Sequence, residues 1–328
     1  MTQTPNNADN TGGLEAWGLT PEIRSAADEI LAEARERAHR GADLGRVVRH
    51  DGVALRIVTA EGIAQYPTRK SMGAAVVGDW VVVVDGVVEQ ILPRYSLLRR
   101  RDEERDTEQR LAANVDLVLM VCGLDRPLST PRIQRATMLA HEAGIPAMVV
   151  LTKVDLAENL AAAEAQMAYD FPDVAMVAID SVSGHGIDEL AKELAGKSVV
   201  LVGESGAGKS SLTNALSGLA LTAVGEVRSK DSKGRHTTTW RELHPLPNGT
   251  VIVDSPGIRS IGIWAEPEAV SVAFPDIEAL AEQCRFSNCT HTSEPDCAVQ
   301  LAIASGELDE RRLAAWREVL SSQERGWD

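Results

Sequence analysis

The sequence predicts a multidomain chain in which a small β-barrel, an α/β sheet and a short helical unit follow one another. Three observations point that way. Short Val-rich runs broken by Gly and Asp fill Leu44 to Leu98, strand and helix patterns alternate from about residue 111 to 264, and three cysteines and a histidine crowd into Cys284 to Cys297. At 328 residues the chain has room for about two full hydrophobic cores and a smaller appendage, at roughly 150 residues per domain.

In chain order, residues 1 to about 13 are polar and rich in Asn and Thr, a composition expected to stay disordered. Pro21 to His39 reads as a helix, with Thr20 able to cap it, Pro21 suited to its first turn, and Ile23, Ala26, Ala27, Ile30, Leu31 and Ala34 marking one face. These make up an extension and N-terminal helix over residues 1–40. Residues 41–98 hold five expected strands: Arg46 to Arg49, Ala54 to Thr59, Gly62 to Tyr66, Asp79 to Val84 and Val87 to Pro93. Asp51-Gly52 and Asp85-Gly86 are hairpin signals, and five short strands suit a barrel of the oligonucleotide-binding (OB) type. A charged stretch, 99–110, reads as a linker.

The domain at 111–264 then alternates. Strands are expected at Val115 to Cys122, Ala147 to Leu151, Ala175 to Ile179, Ser198 to Val202 and Val251 to Val253. Helices are expected at Pro131 to Ala143, Asn159 to Tyr169, Asp188 to Leu194 and Ser210 to Ser217, the pattern of a mostly parallel sheet covered by helices. Residues 265–328 form the C-terminal unit, with the cysteine cluster and a final helix from Asp309 to Gln323.

Charge and hydropathy limit the partners. No apolar run reaches the ~18 residues of a membrane span, and the polar start Met1 to Asn7 lacks the features of a secretory signal, so a cytoplasmic location is expected. A net charge of -15 argues against general nucleic-acid binding. It is unevenly spread, however. Residues 155–195 carry nine acids against the single base Lys192, whereas Arg94, Arg99, Arg100, Arg101 and Arg105 cluster, as do Arg228, Lys230, Lys233, Arg235 and Arg241. Local RNA-facing surfaces therefore stay open.

Gly203-Glu204-Ser205-Gly206-Ala207-Gly208-Lys209-Ser210 matches G-x-x-x-x-G-K-S between an apolar strand and a helix, the context of a phosphate loop. Its glycines let backbone N–H groups wrap the phosphates, Lys209 reaches the β- and γ-phosphates, and the Ser210 hydroxyl suits magnesium. Thr152-Lys153-Val154-Asp155 follows another expected strand, where Asp155 can accept both donors of a guanine edge and the Lys153 stem can lie along the base. Ser181, after the next strand, fits the loop that supports the guanine oxygen, although Asp180 replaces the Ser usual before it. Asp254-Ser255-Pro256-Gly257 resembles D-x-x-G, with Asp254 toward magnesium and Gly257 toward the γ-phosphate. Gly234 to Thr239 can close over magnesium through a Thr hydroxyl, Thr238 being the first choice among 237–239. Position 258 is Ile where Ras-like enzymes place the Gln that orients water, so His236 is the candidate for that role. The base motif precedes the phosphate loop in the chain, the reverse of the common order, which defines a circularly permuted P-loop α/β GTPase domain.

Cys284, Cys289, His291 and Cys297 give C-x4-C-x-H-x5-C, three thiolates and an imidazole suited to a closed, structural zinc site. Cys122 stands apart on an apolar strand.

Together these residues resemble one family, the small-ribosomal-subunit-dependent GTPases called RsgA or YjeQ. The likeness spans about Gly41 to Glu318 and includes the barrel, Ala112 to Asp116, the permuted motif order, Gly234 to Thr239, and Cys284 to Cys297 with Glu294-Pro295-Asp296-Cys297-Ala298-Val299. Departures are Asp180, Ser255 where Thr is usual, and a longer polar N-terminus. The resemblance implies a GTPase that binds the small ribosomal subunit and its 16S rRNA late in maturation, is stimulated by it, and leaves on hydrolysis. It implies GTP/GDP, magnesium and one zinc as cofactors, no DNA or membrane partner, and a monomer off the ribosome. GTP contacts carry over to Thr152, Lys153, Asp155, Gly203 to Ser211 and Asp254. Two other readings remain: a nucleotide-gated RNA-binding scaffold with negligible turnover, which Ile258 favours, and an ATP-dependent enzyme in which Asp155 is incidental.

Overall fold

The computed structural model describes residues 13–50, 54–69, 72–102, 107–218, 242–254, 274–286 and 289–324. Helix α1 (Pro21–Arg37) starts where Thr20 Oγ1 accepts the Ile23 N–H at 3.3 Å, with Pro21 in the first turn. Its buried Ala27, Leu31 and Ala34 pack toward the barrel strands.

The five expected strands form β1 (Ala42–His50), β2 (Leu55–Thr59), β3 (Gly62–Tyr66), β4 (Trp80–Val84) and β5 (Val87–Ile91). β1 pairs with both β2 and β4, β3 pairs with β2, and β5 with β4. Thr68 bridges Val88 in parallel, so the chain leaving β3 meets β5 and the sheet curls toward closure around Val47, Leu55, Ile57, Val81, Val83 and Val88. The Asp85-Gly86 turn forms with both φ angles positive (50° and 80°), as a two-residue hairpin requires. The Asp85 carboxylate accepts the N–H groups of His39 (3.0 Å) and Arg40 (2.5 Å), which pins the exit of α1 to this turn. The turn expected at Asp51-Gly52 and the disorder expected before residue 13 lie outside the described residues.

Residues 99–110 are not the linker that their charge suggests. β6 (Leu97–Asp102) and β7 (Thr107–Ala113) pair antiparallel, with Arg99 opposite Arg110 and Arg100 opposite Gln109. Arg99 reaches Glu108 (3.8 Å) and Glu142 (3.7 Å), and Arg100 donates to Gln109 (2.7 Å), so ion pairs and hydrogen bonds let charged residues occupy a ribbon. Arg94 also differs from its expected place on an open basic surface. It makes a forked pair with the buried Asp79 at 2.6 and 2.8 Å.

The α/β sheet contains β8 (Leu117–Gly123), β9 (Ala147–Thr152), β10 (Ala175–Ala178), β11 (Ser198–Val202), β12 (Glu242–Pro245) and β13 (Val251–Asp254), in the order β10-β9-β8-β11-β13-β12. All are parallel except β12, a short antiparallel partner of β13 whose polar sequence gives no strand signal. Successive residues turn to opposite faces. Val118, Met120, Val149, Leu151 and Val200 share a core with α2 (Thr130–Glu142) and α3 (Leu160–Asp170), while Leu119, Val121, Val150, Val199 and Leu201 share one with α4 (Ile187–Leu194) and α5 (Lys209–Ser217). Arg49 of β1 pairs in register with Glu242 of β12, so the five N-terminal strands and the α/β sheet are continuous.

Among the described residues three helices follow, Pro275–Ala281, Ala298–Ser305 and Glu310–Glu324, of which the sequence announces only the last. Phe274, Ile277, Val299, Leu313 and Trp316 form their core, and Met138 of α2 joins it. Among the described residues no helix is long and apolar enough to cross a membrane.

Arg46 of β1 lies at the junction of these units, 1% exposed. Its guanidinium donates to the carbonyls of Trp17, Gly78 (3.3 Å) and Asn114 (3.2 Å) and to Ser198 Oγ (2.9 Å), and lies over the Trp80 ring at 5.2 Å. Burial brings its pKa down to about 10, so it stays charged at neutral pH. Arg46→Met is expected to lower stability by roughly 3 kcal/mol, because buried acceptors lose a charged donor. Urea unfolding followed by tryptophan fluorescence measures this, and Arg46→Lys, which cannot fork between the carbonyls, should recover little.

Candidate nucleotide site and metal cluster

Parallel pairing brings the carboxyl ends of β8, β9, β10, β11 and β13 to one edge of the sheet, where ligands of such sheets bind. The phosphate loop leaves β11 there. Gly203 has φ 146°, and a Cβ on it would lie 2.3 Å from the Val121 carbonyl oxygen, so only glycine lets the loop turn against β8. α5 begins at Lys209 behind Gly208, and its first N–H groups face the hollow of the loop. The Lys209 ammonium donates to the carbonyls of Gly203 (2.7 Å) and Glu204 (2.6 Å), which holds it over the loop. Ser205, Gly206 and Ser210 are exposed at this edge, and Ala207 is buried beneath it.

The base motif joins the loop directly. Thr152, 1% exposed at the end of β9, donates its hydroxyl to the Ala207 carbonyl at 2.6 Å. Lys153 follows in a left-handed conformation (φ 59°, ψ 42°), and Asp155 lies exposed in the turn Val154–Leu156. Next to it, the Ile179 N–H donates to the Leu151 carbonyl (2.8 Å) and leads into the loop that carries Ser181. Asp180 organises that loop, since its carboxylate accepts the N–H groups of Val182 (2.9 Å) and Ser183 (3.0 Å). The Ser183 hydroxyl, then these backbone bonds, hold its pKa below the ordinary value. Asp180 thus supplies the local capping that a Ser would supply.

The backbone of Asp254 ends β13 beside the start of the phosphate loop. His236, Thr238 and Gly257, together with Ser255 and Ile258, lie outside the described residues. The sequence reading missed a charged group at the same edge: Asp125 bonds Lys153 Nζ at 2.8 Å, Arg126 pairs with Asp125 (3.0 Å) and Glu204 (3.5 Å), and Arg132 pairs with Glu204. The signal was there to read, because Gly123-Leu124-Asp125-Arg126 follows a buried strand that must run beside the other two.

All four cysteine-cluster residues converge, with ligand atoms within 4.8 Å of one another. His291 Nδ1 lies 3.5 Å from Cys284 Sγ and 3.4 Å from Cys297 Sγ, and the two sulfurs are 3.9 Å apart. Bond lengths of ~2.3 Å to sulfur and ~2.05 Å to nitrogen give tetrahedral edges of about 3.8 and 3.5 Å, so the donor set fits zinc. The surrounding structure holds the ligands in place. The His291 ring packs on Trp316 at 5.3 Å, Gln300 and Arg317 donate to its carbonyl, and burial keeps its pKa below the ordinary histidine value. The Glu294 carboxylate accepts from Thr290 N (2.8 Å), Thr290 Oγ1 (2.6 Å), Thr292 N (2.8 Å) and Ser293 N (3.1 Å), fixing the loop between ligands.

A family model described as RsgA GTPase matches residues 91–264. A relative from Streptomyces coelicolor named small ribosomal subunit biogenesis GTPase RsgA is 39% identical over 338 residues, covering 99% of this chain and 90% of that one. YjeQ from Thermotoga maritima superposes with a TM-score of 0.62 at 29% identity, over 85% of this chain and 99% of that one. YloQ, a circularly permuted GTPase, shares the fold with a TM-score of 0.58 at 23% identity, over 88% of this chain and 97% of that one. With the family model over residues 91–264 and a 39% identical relative matched across almost its whole length and this chain's, the chain belongs to the RsgA GTPase family.

Proposed function

We propose that this chain is a GTP hydrolase that binds the small ribosomal subunit and assists its late maturation, forming GDP and phosphate and coupling hydrolysis to release. The observation that carries the reading is the hydrogen bond from Thr152 to Ala207, which makes the base motif and the phosphate loop one site despite their reversed order. The relatives' name supplies the partner.

In this reading Asp155 accepts the guanine N1–H and 2-amino donors, Lys153 lies along the base, and the Ser181 loop supports the guanine oxygen. Gly203, Glu204, Ser205, Gly206, Ala207, Gly208, Lys209, Ser210 and Ser211 hold the phosphates, with Gly257 toward the γ-phosphate. Ser210, Asp254 and Thr238 would hold magnesium, which when bound neutralises charge between the β- and γ-phosphates. Lys209 stabilises charge on the transferred group, and His236 orients the attacking water in place of the glutamine that Ile258 excludes. Residues 41–98 act as an OB-type barrel and 265–328 as a zinc-bearing unit, both facing 16S rRNA. Four protein ligands leave zinc no open position, so its role is structural. The protein works in the cytoplasm and is monomeric off the ribosome.

GTP turnover measured alone, with small subunits and with large subunits should rise only with small subunits. His236→Ala should keep GTP binding and lose roughly a hundredfold of the stimulated rate. Binding of the small subunit without added turnover would instead favour the nucleotide-gated scaffold. Asp155→Asn should weaken GTP roughly a hundredfold, from two charge-assisted hydrogen bonds, and shift preference toward xanthosine nucleotides in a competition assay. Metal analysis should find one zinc per chain, and its removal by a chelator should raise amide exchange across 274–324 while leaving β8 to β11 protected.

A further inference from the structure

We infer that Asp125 is a positioning residue for guanine recognition, holding Lys153 where its stem can lie along the base. The inference rests on the GTP site proposed above. Lysine carries a flexible four-carbon stem, and ordering it at each binding event weakens affinity unless the protein has ordered it beforehand.

Three features of the chain order it. Lys153 sits in a left-handed conformation, uncommon outside glycine, which turns its side chain back over the end of β8. There Gly123 leaves space: a Cβ at that position would stand 2.6 Å from Asp125 Oδ1, 3.6 Å from Lys153 Cδ and 3.5 Å from Ala207 Cα. The stem can therefore pass between β8 and the phosphate loop. Its ammonium ends 2.8 Å from Asp125 Oδ2, and both side chains are largely covered, 29% and 24% exposed.

Asp125 is itself held. Arg126 donates to its two oxygens at 3.3 and 3.0 Å, and the bonds from Arg126 and then Lys153 bring its pKa down to about 2, so it is a carboxylate throughout the working range. Arg126 also pairs with Glu204 of the phosphate loop at 3.5 Å, and Arg132 pairs with the same carboxylate. The relay Lys153–Asp125–Arg126–Glu204 is thus a second tie between base motif and phosphate loop, separate from the Thr152 hydroxyl. Isolated exposed ion pairs contribute little. This one differs because glycine, backbone conformation and a second cation all converge on a single lysine position.

The test is a double-mutant cycle on GDP and GTP binding to the full chain, followed with fluorescent nucleotide analogues. Asp125→Ala should weaken GDP and GTP by the same factor, about three- to tenfold, mostly through faster dissociation, because the contact serves the nucleoside and not the γ-phosphate. KM should rise by that factor while kcat moves less. The double variant with Lys153→Ala should bind no more weakly than Lys153→Ala alone. Asp125→Asn, which keeps an acceptor, should fall between parent and Asp125→Ala, and the melting temperature without nucleotide should stay close to the parent's. Unchanged GDP affinity in Asp125→Ala, or factors that multiply in the double variant, would overturn the inference. If the parent chain itself prefers no guanine nucleotide over ADP, the GTP reading falls and this inference with it, whereas a guanine-selective parent with an indifferent Asp125→Ala sinks this inference alone.

Discussion

A single buried cation holds the N-terminal strands of this protein to its α/β sheet. Arg46 belongs to the five-stranded N-terminal sheet by its strand, yet its donors end on the N-terminal Trp17, on Gly78 just before β4, on the connector at Asn114 and on Ser198 at the start of β11. A charge removed from water needs several fixed acceptors, and these come from segments far apart in sequence. The neighbours repeat the pattern: Asn114 donates to the Gly78 carbonyl (3.0 Å), Tyr95 donates to the Asn114 carbonyl (2.8 Å), and Asp116 accepts the Ser198 N–H (2.7 Å). An apolar seam could slide by a side chain, whereas this polar one has a single satisfied arrangement. Because Ser198 begins the strand that leads into the phosphate loop, the orientation of the N-terminal sheet is set against that edge of the α/β sheet.

Reversing the motif order does not disturb the chemistry of that edge. Parallel strands place their carboxyl ends together whatever their order in the chain. Thr152, at the end of β9, and Ala207, in the loop after β11, therefore meet over the end of β8, which lies between those strands, although 55 positions separate them in sequence. What permutation alters is the connection to the next unit, since among the described residues β13, with Asp254 at its end, is the last strand of the sheet before the C-terminal helices.

Much of this was legible in the sequence where local chemistry decides structure. The Asp85-Gly86 turn, the Thr20 cap, the Val-rich strands and the phosphate-loop glycines each announce their own conformation. The ribbon at 97–113 did not, because Arg and Glu are poor strand formers singly and become acceptable only when Arg99 finds Glu108 across the pair and Arg110 finds it along its own strand. β12 was hidden for the same reason: Glu242 and His244 gain strand geometry from β13, not from their own preferences. Arg94 looked like part of a basic surface until its partner Asp79, 15 positions earlier, proved to be buried. At the sheet edge, motif spacing named the phosphate loop and the base motif, while Asp125 and Arg126, which pair with Lys153 and Glu204 of those motifs, carry no motif and emerge only from strand adjacency.

Helix α2 ties these parts together mechanically. Its first turn carries Arg132, paired with Glu204 of the phosphate loop, its middle carries Met138, buried in the C-terminal core, and its end carries Glu142, which faces Arg99 of the ribbon at 3.7 Å. Thirteen residues of continuous helix form a rod about 20 Å long that does not bend without a breaker, and Pro131 sits in its first turn, where proline interrupts nothing. Ile133, Ala136 and Leu139 meanwhile press the rod against β8 and β9. The phosphate loop, the cysteine-bearing unit and the basic ribbon thus all bear on one rigid element. A displacement of any of them must either break a named contact or rotate α2 on the sheet, and rotation would carry the other two with it. Through Arg132 and Met138 the phosphate loop and the C-terminal core therefore bear on one helix by side-chain contacts, apart from the chain that links them.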